Sequence, residues 1–196
     1  MFDEDVHVYN SPVKVDDMNI TCDYGVSTVT TFGVIGYKKD LVDGNTYYLM
    51  DETYYDAEIK GVTQSDTDRI DDLVKLQDKY HLNKNNTIFL PHDAASLKAA
   101  AKQDKRIKMK VRTYAPDTFE DITTIQNLFA TNRFFINASC ENSITQAQSY
   151  CWDTKSQQRG EDKPLKVDDH CPDMWRGGIL GPRKNKGVQL RKRKRR

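Results

Sequence analysis

The sequence predicts a mixed α/β fold: a three-stranded antiparallel meander continued by parallel strands, with helices on the faces of the sheet. Three observations predict it. Residues 18–54 contain three runs rich in β-branched and aromatic residues, with the turn signal Asp43-Gly44 between the second and third. From residue 65 onward, short apolar runs alternate with segments whose apolar residues recur at a period of about 3.6. The 196 residues suit one domain, and a hydrophobic content of 37% can supply its core.

Residues 1–17 are polar and acidic without a clear period and read as a linker or leading segment. Residues 18–24, 28–37 and 45–54 form the meander. Residues 65–81 carry Ile70, Leu73, Val74, Leu76 and Tyr80 at helical spacing. A short buried strand follows at 87–90, a helix at 96–103 and a strand at 107–114. Asp117-Thr118-Phe119-Glu120 resembles a capping box, and the helix it opens presents Ile122, Ile125, Leu128 and Phe129 before ending near Asn132. A strand at 133–136 and a helix at 139–152 come next. The charged stretch 153–166 reads as a hairpin or loop. The last helix spans 168–180, with Pro172 tolerated in its first turn, Gly177-Gly178 weakening its end and Gly181-Pro182 stopping it. Strands joined by hairpins and then by helices give a mixed sheet covered by helices. Residues 18–182 are therefore read as the domain and 183–196 as a basic tail.

The formal net charge of +1 conceals an asymmetry. Residues 183–196 hold nine Lys/Arg and no acid, which leaves the rest of the chain at −8. The tail suits phosphate binding through counterion release and equally suits a solvated end. No run approaches the roughly 18 apolar residues of a membrane span, and the start carries no apolar secretory segment, so a soluble, intracellular protein is expected. Cys22, Cys140, Cys151 and Cys171 form no Cys-x-x-Cys pair, which argues against a zinc ribbon. Cys140 and Cys151 share a helical face with Ile144 and Ala147 and read as core, and reduced thiols fit the same compartment. The GxxxxGK[ST] phosphate loop is absent, so no P-loop ATPase is encoded here.

Three aspartates stand at the boundaries of these elements. Asp23 ends the run Ile20-Thr21-Cys22-Asp23, Asp93 follows Ile88-Phe89-Leu90-Pro91-His92, and Asp173 opens the last helix. Carboxylates drawn from two strand ends and a distant helix suit a pair of Mg²⁺ or Mn²⁺ ions, hard cations that prefer oxygen donors. Such ions activate water and stabilise the leaving oxygen at a phosphodiester. Each acid also has a plainer reading. Asp23 can shape a turn before Tyr24-Gly25. Asp93 can cap the next helix, a role that Ser96 can take instead. Asp173 can serve the helix dipole. Asp169, His170 and Asp173 share one helical face, so Asp169 competes with Asp173 as a ligand, and His170 is a candidate to orient water or phosphate. Of Asp51 and Glu52, one must face the side of the sheet that Asp23 uses, as a metal or supporting contact; the preferred reading is exposed turn acids. Lys108, Lys110 and Arg112 alternate along one strand, and Lys155, Arg159 and Lys163 decorate the 153–166 loop; both sets are candidate DNA-phosphate contacts or ordinary solvated surface. No recognition helix is visible, so weak sequence specificity is expected.

In this order the motifs resemble the C-terminal nuclease domain of the large terminase subunit of tailed bacteriophages, an RNase H-like fold. The resemblance covers residues 18 to about 183. It rests on Asp23-Tyr24-Gly25, on Asp51-Glu52-Thr53-Tyr54, on Pro91-His92-Asp93-Ala94-Ala95-Ser96, on the helix ending Tyr150-Cys151-Trp152, and on Asp169-His170-Cys171-Pro172-Asp173-Met174-Trp175-Arg176. Two positions depart from the family: Ala115-Pro116-Asp117 stands where a lysine is common, and Gln146 where an acid is common. The resemblance implies a two-metal endonuclease that cuts concatemeric double-stranded viral DNA during genome packaging, in the cytoplasm of the infected host. It implies an ATPase domain, trimmed away or encoded separately, a small terminase subunit and a portal protein as partners, and a monomeric isolated domain without membrane contact. The rivals are another nuclease of this fold, such as a Holliday-junction resolvase, and a non-cutting module that docks on DNA or portal.

Overall fold

The computed structural model describes residues 2–42, 44–115, 118–149 and 169–193. Among them, β2 (Asp17–Asp23), β3 (Val29–Lys38) and β4 (Thr46–Asp56) form the antiparallel meander. β5 (Thr87–Pro91) pairs parallel with β2, and β6 (Lys110–Tyr114) parallel with β5. On the far side β7 (Phe134–Asn137) pairs parallel with β4, and β1 (Val8–Tyr9) parallel with β7. The sheet order is β1-β7-β4-β3-β2-β5-β6, the mixed sheet that the sequence predicts.

Helices cover both faces. α3 (Asp66–Lys79) and α4 (Ala95–Gln103) pack on one, around Phe32, Val34, Ile70, Leu73, Ile88 and Leu97. α5 (Thr118–Ala130), α6 (Glu141–Ser149) and α7 (His170–Arg193) pack on the other, around Ile35, Leu49, Ile125, Phe134 and Trp175. The short helices α1 (Glu4–His7) and α2 (Ala57–Lys60) complete the described elements.

Two expectations need correction. Residues 1–17 do more than lead into the domain: β1 extends the sheet, and the buried His7 ring lies 2.9 Å from the Phe129 carbonyl oxygen. A two-residue strand whose partner lies about 130 positions away leaves no periodicity to read. The second correction concerns α7, which does not stop at Gly181-Pro182 but runs to Arg193 with Pro182 inside it. An interior proline removes the hydrogen bond to the carbonyl four residues back, here Gly178. The Asn19 side-chain amide, from β2, donates to that carbonyl at 3.0 Å. The glycines read as weakness are contact points. A Cβ at Gly178 would come within 2.6 Å of Ile35 Cγ1, and one at Gly33 on β3 would collide with Met174. Missing side chains on both surfaces let the helix lie against the centre of the sheet.

Candidate active site

β2 and β5 are neighbouring parallel strands, so their C-terminal ends open at the same edge, where open α/β sheets gather functional side chains. Asp23 is the last residue of β2. Asp93 lies two residues beyond β5, in the turn before α4. α4 begins at Ala95 with Ala94 as its N-cap and no side-chain cap, so neither Asp93 nor Ser96 serves that role. Ser96 instead lies 3.1 Å from the Tyr24 hydroxyl and ties the turn after Asp23 to α4. The Asp93 side chain is exposed, without hydrogen-bond or ion-pair partner among the described residues. Both Asp23 and Asp93 act on the buried Cys22 thiol, whose pKa is raised first by burial and further by these two carboxylates.

The start of α7 crosses this edge. His170 Nδ1 lies 2.9 Å from Asp23 Oδ2, both side chains being partly exposed. The hydrogen bond to Asp23 raises the His170 pKa above its ordinary 6.5, against the lowering effect of burial; the charges of Asp23, Asp169 and Asp173 add to the rise. Asp169 immediately precedes the helix, and its carbonyl accepts the Asp173 amide at 2.9 Å. The Asp173 carboxylate pairs with the buried Arg176 guanidinium one turn on. The structure therefore joins Asp23 to His170, sets Asp169 and Asp173 beside His170, and leaves the Asp93 side chain at the same edge without a partner among the described residues.

Hard oxygen donors at one edge of a sheet fit a divalent cation in kind and in place. Their side chains do not converge: among the described residues no three or more His, Cys, Asp or Glu side chains form a metal-binding group. Asp23 and Asp173 face His170 and Arg176 instead.

Glu52 is the residue that sequence reasoning undervalued. It lies inside β4, opposite Gly33, which lies opposite Thr21, so it shares the α7 face with Asp23. Its carboxylate accepts from the Asn142 amide at 2.9 Å, from the Ser143 amide at 3.3 Å and from the Ser143 hydroxyl. Asp51 points to the other face and pairs with Lys79 on α3 at 2.6 Å. The preferred reading of both as exposed turn acids is thus wrong, because β4 continues to Asp56.

The basic candidates separate. β6 begins at Lys110, so Lys108 shares no strand face with Lys110 and Arg112; its ammonium lies 3.9 Å from Asp78. Lys110 is exposed. Arg112 is half-buried and lines a cavity with Asn19, Tyr37, Phe89 and Pro182. Lys155, Arg159, Lys163, the whole 153–166 stretch, Tyr150-Cys151-Trp152 and Asp117 lie outside the described residues.

No protein-family model matches the sequence, and neither does any curated protein. Solved structures do. The large terminase of a thermophilic bacteriophage is 30% identical, with a TM-score of 0.78 over 92% of this chain and 43% of that one. The chain thus spans less than half the length of that protein. The P22 large terminase nuclease domain is 16% identical, with a TM-score of 0.64 over 93% of this chain and 90% of that one. The nuclease domain of the large terminase of bacteriophage SPP1, with bound Mn, is 16% identical, with a TM-score of 0.61 over 89% of this chain and 95% of that one. At such low identity the last two matches speak for the fold. The chain is therefore similar in sequence to part of a bacteriophage large terminase and has the RNase H-like fold of the large terminase nuclease domains.

Proposed function

We propose that this chain is the nuclease module of a large terminase, a metal-dependent endonuclease that cuts concatemeric double-stranded viral DNA during genome packaging. The observation that supports the reading most is that Asp23 and Asp93 follow neighbouring parallel strands of a sheet with the terminase nuclease fold, and that the start of α7 reaches Asp23 through His170. The bound Mn of the SPP1 domain supports a divalent cation here. Asp23, Asp93 and Asp173 would hold two Mg²⁺ or Mn²⁺ ions, with Asp169 as the alternative to Asp173. When bound, such ions lower the pKa of an attacking water and stabilise the departing oxygen of the phosphodiester. Among the described residues the Asp93 side chain has no partner to give up. Asp23 would exchange His170, and Asp173 would exchange Arg176. His170, beside these carboxylates, would orient water or a phosphate oxygen. Lys110, together with the tail, offers phosphate contacts that position DNA without reading sequence. The proposed setting is the cytoplasm of an infected cell, with the ATPase domain, small terminase subunit and portal protein as partners.

Supercoiled plasmid incubated with Mn²⁺, Mg²⁺ or EDTA, beside Asp93→Ala, tests this. Metal-dependent nicking and linearisation, with a loss of at least about 100-fold in the variant, is the expected result. A folded protein that leaves plasmid intact in every metal would favour the non-cutting module that docks on DNA or portal.

A further inference from the structure

We propose that Glu52 is a positioning residue of this site: through α6 it sets the turn of α7 that carries His170 and Asp173 against Asp23. The inference rests on the nuclease reading for its consequence and on geometry for its substance. Two polar rungs cross from β4 through α6 to α7. In the first, Glu52 accepts the Asn142 and Ser143 amides and the Ser143 hydroxyl, and that hydroxyl oxygen accepts from Trp175 Nε1 at 3.1 Å. In the second, the Gln146 amide donates to the Tyr54 hydroxyl at 3.1 Å, while its oxygen accepts the Cys171 backbone amide at 2.7 Å. Cys171 adjoins His170.

The rungs fix α6 and α7 in both translation and rotation. A carboxylate at the start of α6 satisfies amides that have no partner within the helix and suits its positive end. Ser143 and Trp175 are fully buried, and Gln146 nearly so. Sliding α7 by one turn, about 5.4 Å, would leave the Trp175 indole and the Cys171 amide unsatisfied in an apolar setting. On its sheet-facing side the same helix is held by Thr21, whose hydroxyl donates to the Met174 carbonyl at 2.7 Å. An apolar contact would tolerate small slides; these directional bonds select one register, the one in which His170 reaches Asp23 at 2.9 Å. Gln146 serves both partners at once, its amide nitrogen donating to Tyr54 and its oxygen accepting from Cys171.

The test uses the full chain with Glu52→Ala, Glu52→Gln and Ser143→Ala. In EDTA, amide hydrogen exchange at Cys171 and Ser143 should speed up about tenfold or more in Glu52→Ala, and NMR should show the His170 ring in an altered environment. In Mn²⁺, plasmid-cleavage kcat should fall about 10–100-fold with KM for DNA little changed, as expected of a group that orients a ligand-bearing helix. Glu52→Gln keeps an acceptor for the α6 amides and should recover most of both losses. Ser143→Ala, which cuts only the first rung, should lose part of each, and it carries the test if Glu52→Ala does not fold. Unchanged Cys171 exchange, or faster exchange with unchanged kcat, overturns the proposal. A wild-type chain that cuts nothing would sink the nuclease reading instead. The Cys171 exchange and His170 resonances would then decide the positioning claim by themselves.

Discussion

His170 and Asp23 form a pair whose energy depends on a proton. The neutral imidazole makes one hydrogen bond to the carboxylate, whereas the imidazolium adds a charge attraction, so the folded chain holds the proton more tightly than the unfolded chain does. A folded pKa raised above 6.5 means that the stabilisation is complete below about that pH, the unfolded value, and is lost as pH rises through the folded pKa. Urea denaturation in EDTA should therefore show a fall in stability from near pH 6 upward on this account, and the fall should shrink in His170→Gln. A variant with the same pH profile as wild type would mean that the pair is too well solvated to matter. At this scale the sequence was readable for placement: Asp23 ends a strand, Asp93 lies in the turn after one, and His170 and Asp173 open a helix, while their roles as ligands remain part of the proposal. Glu52 shows the limit. Strand alternation requires one of Asp51 and Glu52 to face α7, but an irregularity decides which. The β3–β4 register shifts so that Val34 pairs with Asp51 and Ile35 with Leu49, leaving Met50 as the extra residue of a bulge. Without the bulge Asp51 would share the face of Leu49; with it Glu52 does.

Helix α7 makes the corresponding point for an element. Local propensity ends it at Gly181-Pro182, because proline lacks a donor and its ring crowds the preceding turn, at a cost of about 3 kcal/mol or more. Propensity cannot see Asn19, 159 positions earlier in the chain, whose amide meets the Gly178 carbonyl that Pro182 leaves free. Replacing Asn19 by Leu should cost roughly 1–3 kcal/mol in urea denaturation, the penalty for burying an unsatisfied carbonyl. Pro182→Ala restores a backbone donor to that carbonyl, so in the Asn19→Leu background it should recover more stability than it adds to wild type. Strict additivity in this double-mutant cycle would disconnect the two residues. Gly33→Ala tests the same packing from the sheet side. Its methyl group would meet the Met174 thioether, and the displacement should cost about 1–3 kcal/mol.

For the whole molecule, the meander, the further parallel strands and the helices on the faces of the sheet were legible, because they depend on runs of apolar residues and their period; that parallel strands join the meander on both sides was not. β1 was not, since two residues carry no period and its pairing with β7 is a tertiary fact. The charge distribution is a whole-molecule property that sequence alone settles. Residues 1–182 carry −8 and residues 183–196 carry +9, so phosphate should be repelled by most of the chain and attracted by its end. If the tail supplies the main non-specific hold on DNA, truncation after Pro182 should weaken duplex binding in EDTA and also flatten its salt dependence. Every phosphate that the shortened chain no longer neutralises reduces the slope of log K against log salt by about 0.9. Comparing the slopes of full-length and truncated chains separates this from a general loss of folding, which would reduce binding at every salt without such a pattern. An unchanged slope would move the contacts onto the body, where Lys110 is the exposed candidate on β6 and Lys110→Ala the next variant to measure.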